Sequence, residues 1–266
     1  MTTSIVIPAY NGRQHLAKNL PAVIALGAGE VVIVDDASTD GTADFIAQKY
    51  PQVKLIRNPV NRRFPLTVNT GFSHAKGEII ILINQDVKPD RNLIKHVLPH
   101  FANPQIFAVT FNENGRSWAD GGWRNGLLEF TNGKRDHHLH ESLWPSGGSA
   151  AYRHTTWNHL GGLDPVFTPG YFEDLDLGLR ARNAGYKIIW DSKCQVEHLT
   201  ETAFNKAFSS RHLRYIKERN YLIANWKNLP SGMWTAHIIS LIKRIIKNPG
   251  YLVPVLWALC TKLVAS

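Results

Sequence analysis

Apolar residues in the first third of the chain come in short unbroken runs, not at helical spacing. Ser4-Ile-Val-Ile-Pro8, Glu30-Val-Val-Ile-Val-Asp35 and Ile79-Ile-Ile-Leu-Ile83 are the clearest, and Val53-Lys-Leu-Ile-Arg57 is a weaker fourth. Runs this short and this rich in β-branched residues predict strands buried on both faces, as in a parallel sheet. Ile79–Ile83 is expected at the centre of that sheet. The segments between them repeat differently. Leu16, Leu20, Val23 and Ile24 predict a helix over 13–26, which Pro21 is expected to break. A helix over 42–49 is expected, capped by Thr39 or Asp40, and another over 66–76. Strands alternating with helices at this spacing predict an α/β fold. Its central sheet is Rossmann-like and mostly parallel, with right-handed crossovers and helices on both faces.

The pattern loosens further on. Residues 88–110 read as a helix and a strand, with Phe107–Phe111 in the strand. Residues 112–143 read as irregular, with Gly115, Gly121, Gly122, Gly126 and Gly133. Trp144-Pro-Ser-Gly147-Gly148-Ser-Ala reads as a turn in which the missing Cβ atoms let a ligand approach. His159–Phe167 is a further turn. Tyr171–Arg180 starts a helix that Gly185 ends, and Lys187–Trp190 is a strand. Met233–Lys247 is amphipathic, with Ile238, Leu241, Ile242, Ile245 and Ile246 near helical spacing. The apolar stretch from Tyr251 to Ala265 is broken by Pro254 and Lys262. It is short for a membrane span and suits an interfacial segment.

Charge changes the picture at one end only. The 266 residues carry 30 Lys and Arg against 21 Asp and Glu, a net of +9. Ten of those basic residues, from Lys206 to Lys262, and a single acidic one, Glu218, lie in 203–266, so residues 1–202 balance at 20 against 20. The basic character therefore belongs to the tail. Its three readings are an interfacial membrane contact, an oligomerisation helix and an RNA-binding tail, and its apolar content disfavours the last. Cys194 and Cys260 have no metal-type spacing and no disulfide framework, which fits a reducing cytoplasm. No signal peptide is read at the start of the sequence.

The chemistry gathers where strands end. Ligands of open α/β sheets sit at the carboxyl ends of strands. Asn84-Gln85-Asp86 ends the central run, so Asp86 can hold a hard divalent cation and, through it, phosphate. Asp35 and Asp36 offer acceptors for a base N–H. Glu173 and Asp174 stand in the first turn of a helix, whose dipole is expected to keep a carboxylate ionised and able to take a proton. His198 is a further ligand candidate beside Asp86. His137, His138 and His140 suggest a metal, although a solvated loop is the plainer reading. Trp118, Trp123 and Trp144 offer flat faces to a sugar, or simply pack. No G-x-G-x-x-G follows the first strand and no G-x-x-x-x-G-K-[ST] occurs, which argues against a dinucleotide oxidoreductase and a P-loop NTPase.

Taken in order, Ser4–Asn11, Val34–Thr42, Asn69-Thr-Gly71 with Gly77-Glu78, Leu82–Asp86, Ser146–Ser149, Gly161–Asp164, Glu173–Leu177 and Arg219-Asn220 resemble the family 2 glycosyltransferases. These are inverting enzymes of the GT-A fold, and the likeness is strongest to rhamnosyltransferase-like bacterial members. The resemblance implies a transferase domain over 1–228, with a nucleotide-sugar half (1–100) and an acceptor and catalytic half (101–228), followed by an amphipathic tail (229–266). It implies that Pro8, Tyr10, Asn11, Asp36, Asn69 and Asn84 line the nucleotide site. Asp86 and His198 would hold Mg²⁺ or Mn²⁺, Asp174 beside Glu173 would act as base, and Gly147, Gly148, Trp144 and Arg219 would line the donor and acceptor pocket. Asn84 stands where the family's DXD motif has its first Asp, which removes one charge from the metal site.

The implied activity is transfer from a nucleoside-diphosphate sugar, UDP- or dTDP-linked, to a saccharide or lipid-linked acceptor in cell-wall or polysaccharide synthesis. The implied location is cytoplasmic, peripheral on the inner face of the membrane. Nucleic acid is not expected as a partner, and a homo-oligomer is allowed. The competing readings are a sugar nucleotidyltransferase and a non-catalytic nucleotide-sugar-binding scaffold. The first wants a Gly-rich basic loop that residues 8–15 lack. The second is disfavoured by the presence of Asp86, Glu173 and Asp174 together.

Overall fold

A computed structural model describes residues 1–113, 118–134, 136–198 and 209–265, with backbone only for 262–265. Gly115, Lys206 and the side chain of Lys262 lie outside the described residues.

The four apolar runs form β1 (Thr3–Ala9), β2 (Glu30–Asp35), β3 (Lys54–Arg57) and β4 (Ile79–Ile83). They lie parallel in the order β3-β2-β1-β4. Helices α1 (Arg13–Ile24), α2 (Thr42–Lys49) and α3 (Arg63–His74) connect them. Side chains alternate across the sheet, as the strand period requires. Ile5, Ile7 and Ile81 join Leu16, Leu20 and Val23 of α1 in one core, while Val6, Ile80 and Leu82 join Val68 and Phe72 of α3 in the other.

Two local expectations are corrected here. Pro21 does not break α1, which runs through it with Leu16, Leu20 and Val23 buried to within 1% on one face. That burial outweighs the roughly 3 kcal/mol that an interior proline costs. The residue capping α2 is Gly41, at φ 79°, and not Thr39. Asp40 still serves the helix start: its Oδ1 accepts from Thr42 N at 3.0 Å, and its Oδ2 accepts from Arg13 N at 3.1 Å.

The second half completes a nine-stranded mixed sheet. It adds β5 (Val87–Pro89), α4 (Leu93–Val97), β6 (Ile106–Glu113), β7 (Ala119–Arg124), β8 (Leu127–Asn132), β9 (Leu139–Glu141), β10 (Ser149–Arg153), α5 (His154–Leu160), α6 (Glu173–Asn183) and β11 (Lys187–His198). β10 lies antiparallel between β4 and β6, and β6 is parallel to β11. The central run is therefore central, but one of its two neighbours is antiparallel. Three helices follow: α7 (Ser210–Asn228), α8 (Trp234–Lys247) and α9 (Leu252–Ala265). The inner faces of α7 and α9 form a third core with Leu127, Leu128 and Leu175, against which Leu241 and Ile245 of α8 pack.

Residues 119–132 are not irregular. β7 and β8 pair as a hairpin around Asn125 (φ 50°) and Gly126 (φ 74°). Positive φ at both central residues is the turn that matches strand twist, and Asn-Gly is the pair that adopts it most easily. Gly126 also meets α8: a Cβ there would stand 2.3 Å from His237 N. His237 donates to Gly126 O through Nδ1 at 2.6 Å and accepts from Trp226 Nε1 at 2.7 Å. Gly126→Ala is expected to cost about 1–3 kcal/mol, from strain at positive φ and displacement of α8. Thermal unfolding measures this, and an unchanged midpoint would contradict the packing of hairpin on helix.

Candidate active site

The carboxyl ends of β1, β2 and β4 meet through side chains that follow each strand. At the end of β1, Asn11 donates its N–H to Ser38 Oγ at 2.8 Å and accepts from Thr39 N at 2.8 Å through Oδ1, tying this turn to the loop after β2. Gln85, after β4, accepts from Tyr10 N at 3.0 Å. Three strand ends thus make one rim. Tyr10 stands 37% exposed on it, whereas Pro8 is buried within β1. Asp36 is buried, and its carboxylate accepts from Asn58 Nδ2 and from the N–H groups of Arg62 and Arg63 at 2.8–2.9 Å. Its neighbour Asp35 keeps a buried Oδ1 with no hydrogen-bond partner. Asn69 is turned to the fold: it accepts from Leu163 N and donates to Leu163 O.

Around Asp86 the chain brings together residues far apart in sequence. Asp86 is 6% exposed, and His198, at the end of β11, lies with Nε2 3.4 Å from its Oδ2. The other ring nitrogen, Nδ1, is 3.1 Å from Glu113 Oε2. Glu113 ends β6, is buried, and accepts from Ser146 Oγ at 2.7 Å and also from Ser149 Oγ. Burial alone would raise the Glu113 pKa. His198 and the two hydroxyls outweigh burial and hold it at about 2. Hydrogen bonding to Asp86 and Glu113 raises His198 to about 9 against the effect of burial. The sequence reading missed Glu113. Its signal was the same as for Asp86: a carboxylate closing an apolar strand.

The Glu113 shift has a sign that can be tested. A carboxyl held below its ordinary 4.5 stabilises the fold above that pH, and the contribution is lost as pH falls from 4.5 toward 2. A shift of that size corresponds to about 3 kcal/mol. Denaturant unfolding across this window is expected to lose that slope in Glu113→Gln. An equal slope in both proteins would deny the coupling.

The loop that supplies Ser146 and Ser149 also reaches α6. Gly147 N donates to Asp174 Oδ2 at 3.0 Å, and Leu175 N donates to Asp174 Oδ1 at 2.8 Å. Gly148 O accepts from Asn84 N at 2.9 Å, and a Cβ on Gly148 would stand 2.4 Å from Asn84 Nδ2. The two glycines therefore make room first for the protein's own Asn84 and Asp174. Asp174 is partly exposed and Glu173 is buried with Oε2 unpartnered. Burial raises both carboxyls, Asp174 to about 6 and Glu173 well above the usual range with Asp174 adding to it. The helix dipole does not keep this pair fully ionised, because desolvation is the larger effect.

Other expected residues turn away from this cluster. Arg219 is buried, donates to Thr168 O at 2.6 Å and stacks over Trp257 at 4.7 Å, so its guanidinium serves the loop before α6 and not a diphosphate. Trp144 meets Phe130 edge-on at 5.0 Å, and Trp118 stacks on His140 at 3.5 Å. His138 and His140 both turn to Asp136.

Metal-binding capacity can be judged from the donors present. Asn84 Oδ1 is buried with no hydrogen-bond partner among the described residues, and His198 Nε2 faces Asp86 Oδ2 at 3.4 Å. Two oxygens and an imidazole suit Mn²⁺ or Mg²⁺, and Glu113 would orient the imidazole from behind. A second group, His100, Asp191 and Cys194, has its ligand atoms within 4.8 Å of one another. There His100 and Asp191 already satisfy each other at 2.8 Å, and burial pushes the Cys194 thiol pKa up. We assign that group to the fold.

The chain is similar to known proteins over much of its length. An N-acetylglucosaminyl-diphospho-decaprenol L-rhamnosyltransferase of Mycobacterium tuberculosis is 25% identical over 270 residues, covering 87% of this chain and 86% of that one. A dolichyl-phosphate beta-glucosyltransferase of Trichomonas vaginalis is 30% identical over 97 residues, 32% of this chain and only 29% of that protein. Against a Pyrobaculum calidifontis mannosyltransferase solved with GDP-Man and Mn²⁺, the TM-score is 0.63 at 19% identity, over 99% of this chain and 75% of that one. That likeness shows the fold, GT-A. The family model described as "Glycosyl transferase family 2" matches residues 4–162, and the chain belongs to that family.

Proposed function

We propose that the protein is an inverting, metal-dependent hexosyltransferase. It moves a sugar from a nucleoside-diphosphate donor, UDP- or dTDP-linked, to a hydroxyl of a saccharide or lipid-linked acceptor. We place this work in cell-surface glycan synthesis at the cytoplasmic face of the membrane. One observation carries the reading: the Ser146–Ser149 loop joins Asp174 at one end to Asn84 and to the Glu113, His198 and Asp86 cluster at the other. A candidate proton acceptor and a candidate cation site thus adjoin one short loop, which supports displacement between a hydroxyl and a diphosphate leaving group.

In this mechanism Asp174 takes the acceptor hydroxyl proton while the acceptor oxygen forms its bond to the anomeric carbon. The bond from that carbon to the diphosphate oxygen breaks, and its electron pair leaves with the diphosphate. A single displacement inverts the anomeric configuration. Gly147 N and Leu175 N hold the carboxylate of Asp174 in place, and Glu173, kept protonated by burial, leaves Asp174 as the base of the pair. Asp86, His198 and Asn84 would hold a divalent cation, which offsets charge on the leaving diphosphate.

The test is release of nucleoside diphosphate from a panel of UDP- and dTDP-sugars with Mn²⁺ and simple saccharide or polyprenyl acceptors, with product configuration read by NMR. An inverted product supports the mechanism and a retained one overturns it. Metal-dependent donor binding without any transfer would favour a scaffold.

A further inference from the structure

We propose that the outward faces of α8 and α9 form a docking platform for the surface of an anionic bilayer. Nine of the fourteen large apolar side chains exposed among the described residues fall between Trp234 and Leu259. They are ordered. Ile238, Ile242 and Ile246 recur every four residues on α8, with the last 74% exposed, and Leu252, Leu256 and Leu259 repeat at helical spacing on α9. Residues at this spacing share one helix face. Neighbouring positions on the same helices are already used: Val255 and Ala258 of α9 belong to the core shared with α7, and Leu241 and Ile245 of α8 pack against it. The stripes lie beside these packed positions, and their own side chains are exposed to solvent.

Charge selects the occupant. No acidic residue follows Glu218, whereas Lys243 and Lys247 stand exposed beside the α8 stripe. An apolar stripe flanked by lysines and free of acids matches a surface that is apolar below and anionic above, which is a membrane interface. A second copy of the chain would bring lysines against lysines. No helix among the described residues is long and apolar enough to cross a membrane, so the contact is interfacial.

The platform also adjoins the acceptor side of the proposed site. Trp257 of α9 lies under Arg219, which donates to Thr168 O, and Asn220 donates to Gly170 O and Tyr171 O at 2.9 Å. Those residues lead directly into α6 and Asp174. A bilayer against α8 and α9 would thus bring lipid headgroups to the side from which a hydroxyl reaches the base. This last consequence rests on the proposed function, whereas the docking itself does not.

The experiment is cosedimentation of the full chain with vesicles of phosphatidylcholine, with and without phosphatidylglycerol. Binding is expected to the anionic vesicles, weaker at high salt. It should fall about fivefold for each of Lys243→Gln and Lys247→Gln. It should disappear in Ile242→Glu/Ile246→Glu, whose side chains are exposed and whose unfolding midpoint should match the parent. Absence of binding to either vesicle would overturn the proposal. So would a dimer that the glutamate variant splits while vesicles fail to bind, since that result assigns the face to a second copy. Retained turnover of a soluble acceptor in the glutamate variant would leave the transferase reading intact whichever way the docking is decided.

Discussion

Asp174→Asn is expected to lower kcat by about two to four orders of magnitude, the range that a positioned general base contributes. Binding of the donor's nucleoside should change little, because the described hydrogen bonds of Asp174 run to Gly147 and Leu175 and not to the loops after β1 and β2. The structure makes the substitution informative. Both carboxylate oxygens accept from backbone N–H groups, at 2.8 Å from Leu175 and 3.0 Å from Gly147. Asparagine offers one such oxygen, so its amide must present N–H to N–H at the other. The pH profile separates the two effects. Burial raises Asp174 to about 6, so the parent's kcat/KM should climb as pH rises through that value and level off above it. The variant should lose that limb. A merely displaced loop would lower the rate at every pH and keep the limb. Unchanged turnover would move the base to another group. Glu173 is a poor replacement, since burial and the neighbouring Asp174 keep it protonated.

The donor half was legible in the sequence because its strands are buried on both faces. Such strands spell themselves as unbroken apolar runs, and the bounds of β2 and β4 fall where the runs begin and end. The acceptor half was less legible for several separate physical reasons. β10 is only Ser149–Arg153, and its first residues sit in a loop shaped by Asn84 and Asp174, so it read as a turn. β11 read as four residues because Asp191, Ser192 and Lys193 interrupt its alternation at a bulge beside β6. The β7–β8 hairpin carried its signal in Asn125-Gly126, hidden among neighbouring glycines that suggested irregular chain.

Side-chain partners were the hardest to read. Asp86 and His198 could be paired by type, but Glu113 became visible only when β6 and β11 lay side by side and placed a carboxylate behind the imidazole. Arg219 shows the reverse. A basic residue beside a candidate cleft suggests phosphate, yet its guanidinium is buried against Thr168 O and Trp257. Asp174 shows that a helix start does not decide ionisation alone. A first-turn position favours the charged form by about 0.3–1 kcal/mol, which burial here exceeds.

The second large effect is expected from Asp86→Ala. A nucleoside diphosphate with Mn²⁺ at a hundred times its Kd should stabilise the parent by about 2.7 kcal/mol. The part of that stabilisation that depends on metal should vanish in the variant. Asp86 stands 3.4 Å from His198 Nε2, and Asn84, being neutral, cannot replace its charge. Glu113→Gln should act more weakly, lowering metal affinity by about ten- to a hundredfold, because it disturbs the orientation of the imidazole and removes no ligand. Thermal unfolding with and without Mn²⁺ and UDP ranks the three proteins. A full metal-dependent shift in Asp86→Ala would place the ion elsewhere, and His100, Asp191 and Cys194 are then the group to examine. Cys194→Ala distinguishes these outcomes. If the ion sits by Asp86, the Cys194 variant keeps the shift, since its thiol is free and buried in the core.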